Sequence, residues 1–166
     1  MKLKPWLGLF ICVFLFGGWI QESTSLNQSE AEKIITAQNE IQSIGIALMD
    51  YITDKATAPK QSGTYDRNSP FYEALCPFYI KSLPMIDPWG NHYLVYCGQE
   101  VDGKYGMTGS VVDDFMIISY GKSGKIENWM YDSKNPENGL YSEPDPDKNI
   151  VYFNGSFIRG PKSKLP

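Results

Sequence analysis

The chain has 166 residues, of which 42% are hydrophobic and 20% are charged, so it can form one ordinary domain around a buried core. The formal net charge of −4 argues against a nucleic-acid-binding protein, because such proteins carry a basic face that neutralises phosphates. The single histidine, His92, excludes a histidine-rich metal site and leaves one residue for any histidine-dependent catalysis.

Residues 1–25 have the layout of an export segment. Lys2 and Lys4 precede an apolar run from Trp6 to Ile20, and polar residues follow. This order is typical of a secretory signal peptide. The run is shorter than the about 20 residues that cross a bilayer, but a retained membrane anchor is the second interpretation and a buried core helix the third. The first two both place residues 26–166, as one globular domain, in the periplasm or the extracellular space.

Export would put Cys76 and Cys97 in an oxidising compartment, where an even pair of cysteines is a candidate disulfide. Such a bond would stabilise the domain by roughly 3 kcal/mol according to the chain-entropy treatment. Two buried free thiols are the alternative.

One long helix is predicted from Asn27 to Asp54. Ser29 and Glu32 have the spacing of a capping box at its start, and Pro59 predicts an end near Lys55. Gly45 interrupts the helix and indicates close packing against a neighbour. The apolar residues recur at steps of three and four and define one buried face: Ile34, Ala37, Ile41, Ile44, Leu48 and Ile52.

The remainder of the chain predicts a short helix over 71–79, capped by Ser69, and then a small sheet. Strands are expected at 92–97, with residues 93, 95 and 97 on one face, and at 115–120 as a central strand. Residues 150–159 contain Asn-Gly between two apolar runs, which predicts a hairpin. A two-residue turn pairs 153 with 156, 152 with 157 and 151 with 158.

The fold class predicted from these elements is α+β, with one long N-terminal helix packed on a small antiparallel β-sheet. The acidic stretch from Lys122 to Asn149 is a long loop without predicted strands, and loops of this length are usually functional, tied by an ion or disordered.

Several blocks of sequence, taken in order, resemble the C-terminal globular domain of the major pseudopilin of type II secretion systems. They are Leu-Pro at 83–84, Asp-Pro-Trp-Gly-Asn at 87–91 and the run from Phe115 to Gly124. The usual prepilin cleavage motif is lacking, because only five residues precede the apolar run. The resemblance therefore implies a pseudopilin-like head on a different anchor or behind a plain signal peptide.

The resemblance implies a non-enzymatic component or accessory of a type II secretion or related pilus-type assembly. Its partners would be other secretion or pilus-type proteins, with self-assembly and contact with the inner membrane if the N-terminal segment is retained. A free secreted binding module with the same fold is the alternative, because fold does not fix function.

The resemblance also implies a calcium ion in the loop before the last strands. The corresponding oxygen ligands would come from Ser123, Asp145, Asp147 and Asn149, although Ser123 stands where the family has an aspartate. Calcium needs about six to eight oxygens, so a solvated acidic loop is the alternative.

An enzyme is not expected, since no catalytic motif is present. The rival hypothesis is a small secreted hydrolase in which His92 acts with Asp87 or Asp113 on Ser119 or Ser123. The loop aromatics offer a further site: Trp129, Tyr131 and Tyr141 either form a partner surface or fold back on the sheet.

Overall fold

The computed structural model describes residues 17–162, with side chains described from Ser29 onward. Helix α1 spans Gly17–Lys55, so the predicted end of the helix is confirmed. The predicted start is wrong: the backbone is already helical before Ser29, and a helix cap requires a residue with non-helical backbone angles. No proline occurs between Gly17 and Gln28, so nothing in this segment forces the helix to begin later.

The apolar face of α1 packs on the sheet as predicted. Ile34, Ala37, Ile41, Ile44 and Leu48 are buried, and Ile52 is partly buried at the end of the stripe.

Gly45 lies where α1 crosses the sheet. A Cβ atom at this position would overlap Cε1 of the buried Tyr152 ring, so the predicted close packing is confirmed. The absence of a side chain therefore lets helix and sheet approach.

The sheet has six strands in the order β1-β2-β3-β5-β6-β4. In chain order the strands are β1 (Ser62–Gly63), β2 (Leu94–Cys97), β3 (Phe115–Ser119), β4 (Leu140–Tyr141), β5 (Ile150–Phe153) and β6 (Ser156–Pro161). The short helix α2 (Pro70–Leu75) follows the predicted cap, where the Ser69 hydroxyl accepts the Tyr72 N–H at 3.2 Å, but it ends four residues earlier than predicted. The α+β class is confirmed.

The sheet is mixed rather than antiparallel as predicted. Strand β4 comes from inside the long loop and pairs in parallel with β6, while the other pairs are antiparallel. Before the hairpin begins, the loop crosses to the edge of the sheet beyond β6. There β4 runs in the same direction as β6.

The hairpin of β5 and β6 has the predicted Asn-Gly turn, with φ of 43° at Asn154 and 95° at Gly155. Phe153 pairs with Ser156 and Tyr152 with Phe157, as predicted. The third predicted pair is wrong, because a β-bulge shifts the register and places Arg159, not Ile158, opposite Val151.

Both faces of the sheet are covered, which explains why all of β3 is buried. On the first face, Tyr93, Val95 and Cys97 point toward α1, and this alternation confirms the prediction for β2. On the second face, Met116, Ile118, Val151 and Ile158 form another apolar cluster under the loops. The long loop therefore acts as a structural layer.

Candidate functional site

The candidate site is the loop of residues 122–149, which we call the covering loop because it lies over the second face of the sheet. It holds a 3₁₀ turn (Pro136–Gly139) and β4, so the prediction of a loop without strands is wrong. Between 126 and 131 the side chains alternate in exposure, with Glu127, Trp129 and Tyr131 half-buried. The residues between them point outward.

Arg159 fastens the covering loop from below. This side chain on β6 is only 8% exposed, and its Nε donates to Oε2 of Glu127 at 3.0 Å while its Nη2 pairs with Oε1 of the same carboxylate. Its Nη1 donates to the Gly139 carbonyl at 3.2 Å. The guanidinium therefore holds two separate parts of the loop by charge-assisted hydrogen bonds.

Aromatic rings enclose the same guanidinium. Its central carbon lies 5.3 Å from the ring centre of Trp129 and 5.4 Å from that of Tyr141, within cation–π range. Trp129 also packs 5.6 Å from Tyr105, and Trp129 and Tyr131 contact the second apolar cluster. The loop aromatics thus fold back on the sheet, as one of the two alternatives predicts.

Asn149 pins the start of β5 to the covering loop and is fully buried. Its Oδ1 accepts the Tyr105 hydroxyl and the Glu127 N–H, both at 2.7 Å. Its Nδ2 donates to the carbonyls of Lys125 at 2.8 Å and Tyr120 at 3.2 Å. All four hydrogen-bonding positions of this amide are therefore occupied by protein groups.

The other three residues of the predicted calcium set lie nearer the surface. The Ser123 hydroxyl donates to the Tyr120 carbonyl at 3.1 Å. Asp145 accepts the Asp147 N–H at 3.1 Å and lies 3.6 Å from the Lys148 ammonium. Between residues 17 and 162 no group of three or more acidic, histidine or cysteine side chains is placed to hold a metal ion. The calcium site stays a prediction.

Of the residues proposed for hydrolysis, Ser119 and Asp87 bind each other. Ser119 and Asp87 are both buried, and the Ser119 hydroxyl donates to Asp87 Oδ2 at 2.7 Å. Asp87 Oδ1 also accepts the N–H groups of Trp89 at 3.1 Å and Asn91 at 2.8 Å, so this carboxylate closes its own turn. Among the described residues, no hydrogen bond joins the exposed His92 to either of them.

The turn at 87–91 holds helix α1 against the rest of the folded domain, which we call the head. Trp89 Nε1 donates to Glu30 Oε2 at 2.7 Å, and Lys33 and Lys122 lie 3.5 and 3.7 Å from Glu30 Oε1. The Trp89 hydrogen bond, with help from the two lysines, lowers the pKa of the Glu30 carboxyl below its usual range. We call this contact the Glu30 clamp.

Cys76 and Cys97 are free thiols in the structure, so the disulfide remains a prediction. Both lie at the apolar cluster under α1. Burial raises the pKa of the Cys97 thiol to about 12, which keeps it protonated and weakly nucleophilic at neutral pH.

Two features of the site were missed at the level of sequence. Arg159 could have been noticed as a charged residue inside an apolar hairpin strand, but its partner Glu127 lies 32 positions away. The outward positions of the covering loop, Ile126 and Met130, are each 64% exposed and show a two-residue alternation that the acidic composition of the loop obscured. A loop tied from inside that presents apolar side chains outside suits contact with another protein.

Within residues 17–162, no helix has both the length and the apolar character needed to cross a bilayer. Residues 1–16 of the predicted export segment lie outside the described part of the chain, whereas 17–25 belong to α1. Comparison of the chain with models of known families, with curated proteins and with solved structures found no match.

Proposed function

We propose that this protein is a non-enzymatic, pseudopilin-like component of a type II secretion or related pilus-type assembly. The observation that carries the proposal is the helix Gly17–Lys55, which is unbroken from the last residues of the apolar run to the folded domain, where its middle part is buried against the sheet. At 1.5 Å per residue, its 39 residues extend about 58 Å. One continuous element thus joins the end of the predicted export segment to the folded head.

The same helix favours a retained anchor over a cleaved signal peptide. Cleavage near Leu26 would cut through α1, and the Glu30 clamp holds the next turn of the helix against the head. A retained apolar segment would keep the head at a fixed orientation beside the membrane. Neighbouring proteins of an assembly could then contact it in a reproducible way.

The surface of the head supports a role in protein contacts. Ile126 and Met130 project from a segment whose inward side chains are bound by Arg159 and packed on the sheet. Such a surface is ordered before binding, so little conformational entropy would be lost when a partner covers it. The sequence resemblance at residues 83–84, 87–91 and 115–124 is the reason for proposing an assembly of the type II secretion or pilus type.

The first test is the state of the N-terminus in the native protein. We expect intact mass measurement of the membrane fraction to give a chain that retains residues 6–20. A mature chain starting near Leu26 and released from the membrane would instead support the free secreted binding module.

The second test asks whether the covering loop touches a partner. A photo-crosslinking amino acid at Met130 should capture a secretion or pilus-type protein in cells that express the assembly. The matched control is the same amino acid at Gln99, which is also exposed but lies outside the loop. Equal capture at both positions, or none at Met130, would contradict a specific contact through the loop.

A further inference from the structure

A second exposed surface lies where α1 ends, at the opposite end of the helix from the apolar run. It consists of Tyr51, Phe78 and Tyr79, and we call it the tip patch. Phe78 is 82% exposed, the highest value among the large hydrophobic side chains described as exposed. Its ring centre lies 4.9 Å from that of Tyr79, which lies 5.5 Å from that of Tyr51. The three rings form one connected surface.

The tip patch is held in place from inside. Tyr51 and Tyr79 both pack against the apolar cluster under α1, and the Tyr79 N–H donates to the Leu75 carbonyl at 2.9 Å. Phe78 does not pack into this cluster, so its position is set by its neighbours while its own ring stays exposed to solvent. An exposed aromatic ring on a fixed support is typical of a binding surface.

Two carboxylates, Asp54 and Asp50, act on the Tyr79 end of the tip patch. The Tyr79 hydroxyl donates to Asp54 Oδ2 at 3.0 Å, and Asp50 lies one helical turn earlier on α1. Desolvation, followed by the hydrogen bond from Tyr79 and the charge of Asp54, raises the pKa of the Tyr79 hydroxyl. The carboxyl end of α1 adds the partial negative charge of its unpaired carbonyl groups.

Two lysines, Lys55 and Lys81, are close to the tip patch in sequence and reduce this negative field. Neither one forms an ion pair with Asp50 or Asp54 among the described residues, so no lysine neutralises these carboxylates directly, and Asp54 keeps one oxygen beside the one that accepts the Tyr79 hydroxyl. Aromatic faces beside open carboxylates are complementary to a cation, and most strongly to a guanidinium that can stack and donate hydrogen bonds together.

We propose that the tip patch binds an arginine- or lysine-bearing segment of a partner protein. Its distance from the apolar run, about 45 Å along the helix, and its negative charge both disfavour a membrane surface as the occupant. This inference rests on the proposed function in taking the partner to be a protein. It adds the recognition of a basic segment, which the apolar surface of the covering loop does not provide.

The experiment measures fluorescence anisotropy on the full chain in a non-ionic detergent. The probe is a fluorescein-labelled peptide of four Arg-Gly repeats, and the matched control peptide has four Glu-Gly repeats. We expect the arginine peptide to bind and the glutamate peptide not to bind. Phe78→Ala should weaken the binding by about 2- to 30-fold, the range of one cation–π contact.

Two further variants separate the contributions of aromatic ring and charge. Phe78→Leu keeps an apolar side chain but removes the aromatic face, so it should lose binding as Phe78→Ala does. Asp54→Asn should also weaken binding, and more strongly at low salt. Val112→Ala, at another exposed apolar position that belongs to neither the tip patch nor the covering loop, should leave binding unchanged. Melting temperatures equal to that of the parent protein verify that each variant is folded.

Several results would overturn the proposal. They are equal binding of both peptides, binding unaffected by Phe78→Ala, and full binding by Phe78→Leu, which would indicate simple apolar contact. Attachment to phosphatidylcholine vesicles through Phe78, or self-association of the chain through it, without peptide binding would also overturn it. Because the assay uses purified protein, a chain released from the membrane could still bind the peptide. In that case the proposed function would fail and this inference would stand.

Discussion

Replacement of Arg159 by methionine is the sharpest test of how the covering loop is held. Methionine keeps an unbranched apolar stem beside Trp129 and Tyr141 but removes the charge and all three hydrogen bonds from the guanidinium. The variant leaves the Glu127 carboxylate facing an apolar space, although its side chain is 26% exposed and can partly rehydrate.

The magnitude follows from this partial burial. Removal of one partner from a buried ion pair typically costs about 3–5 kcal/mol. The remaining exposure of Glu127 places the expected loss at the lower end, about 3 kcal/mol. For a chain of this length each kcal/mol lowers the melting temperature by about 2–4 °C, so a decrease of about 6–12 °C is expected.

Urea denaturation gives the free energy of unfolding, and hydrogen exchange at residues 126–131 reports release of the loop. The double variant with Glu127→Gln should recover part of the loss, because it no longer leaves a charge without a partner. Arg67→Met is the matched control, since Arg67 is exposed, and should change stability by no more than about 0.5 kcal/mol. A loss below about 1 kcal/mol with unchanged exchange would refute the role given to Arg159.

Four other outcomes are expected. Gly45→Ala should destabilise the protein by about 1–2 kcal/mol in urea denaturation, because the overlap with Tyr152 outweighs the better helix propensity of alanine; a stabilised variant would contradict the close packing. Because the pKa of Glu30 is lowered, the clamp stabilises the head above the carboxyl's usual pKa of 4.5, and this contribution is lost as the pH falls through the lowered value. The difference in the free energy of unfolding between the parent protein and Glu30→Gln should therefore vanish at that low pH. A difference that persists in acid would count against the clamp. Calcium held by Ser123, Asp145, Asp147 and Asn149 should be seen as a melting temperature that a chelator lowers and added calcium restores, whereas an unchanged melting temperature would count against the site. Exported protein should carry the bond between Cys76 and Cys97, detected as a mass increase on alkylation only after reduction; two thiols alkylated in unreduced, unfolded protein would show that it is absent.

The sequence was informative where local patterns and burial agree. The apolar stripe on α1 recurs about every 3.6 residues, and the alternation in β2 recurs about every 2 residues. Each period identifies the face of the element that meets the core. The Asn-Gly turn required positive φ at two successive positions, and these two residue types adopt such angles most readily. These features depend on residues close together in the chain.

The sequence was misleading where distant residues decide the outcome. Ser29 looks like a helix cap because of its neighbours, but the helix continues because no residue before it breaks the pattern. The bulge in the hairpin places Arg159 where it meets Glu127, and β4 finds its parallel partner only after the covering loop has crossed the sheet. No local propensity encodes these contacts.

The head carries two different outer surfaces on one packed core. The helix is buried along one side by the sheet, is tied by the Glu30 clamp where it leaves the head, and ends beside the tip patch. The covering loop lies on the opposite face of the sheet, fixed by Arg159 to the strand that follows the hairpin turn. Because both surfaces are attached to the same packed core, a partner bound at one surface would be held at a set position relative to a partner at the other. A component that brings two proteins into register needs this property, and that is the role we propose for this chain.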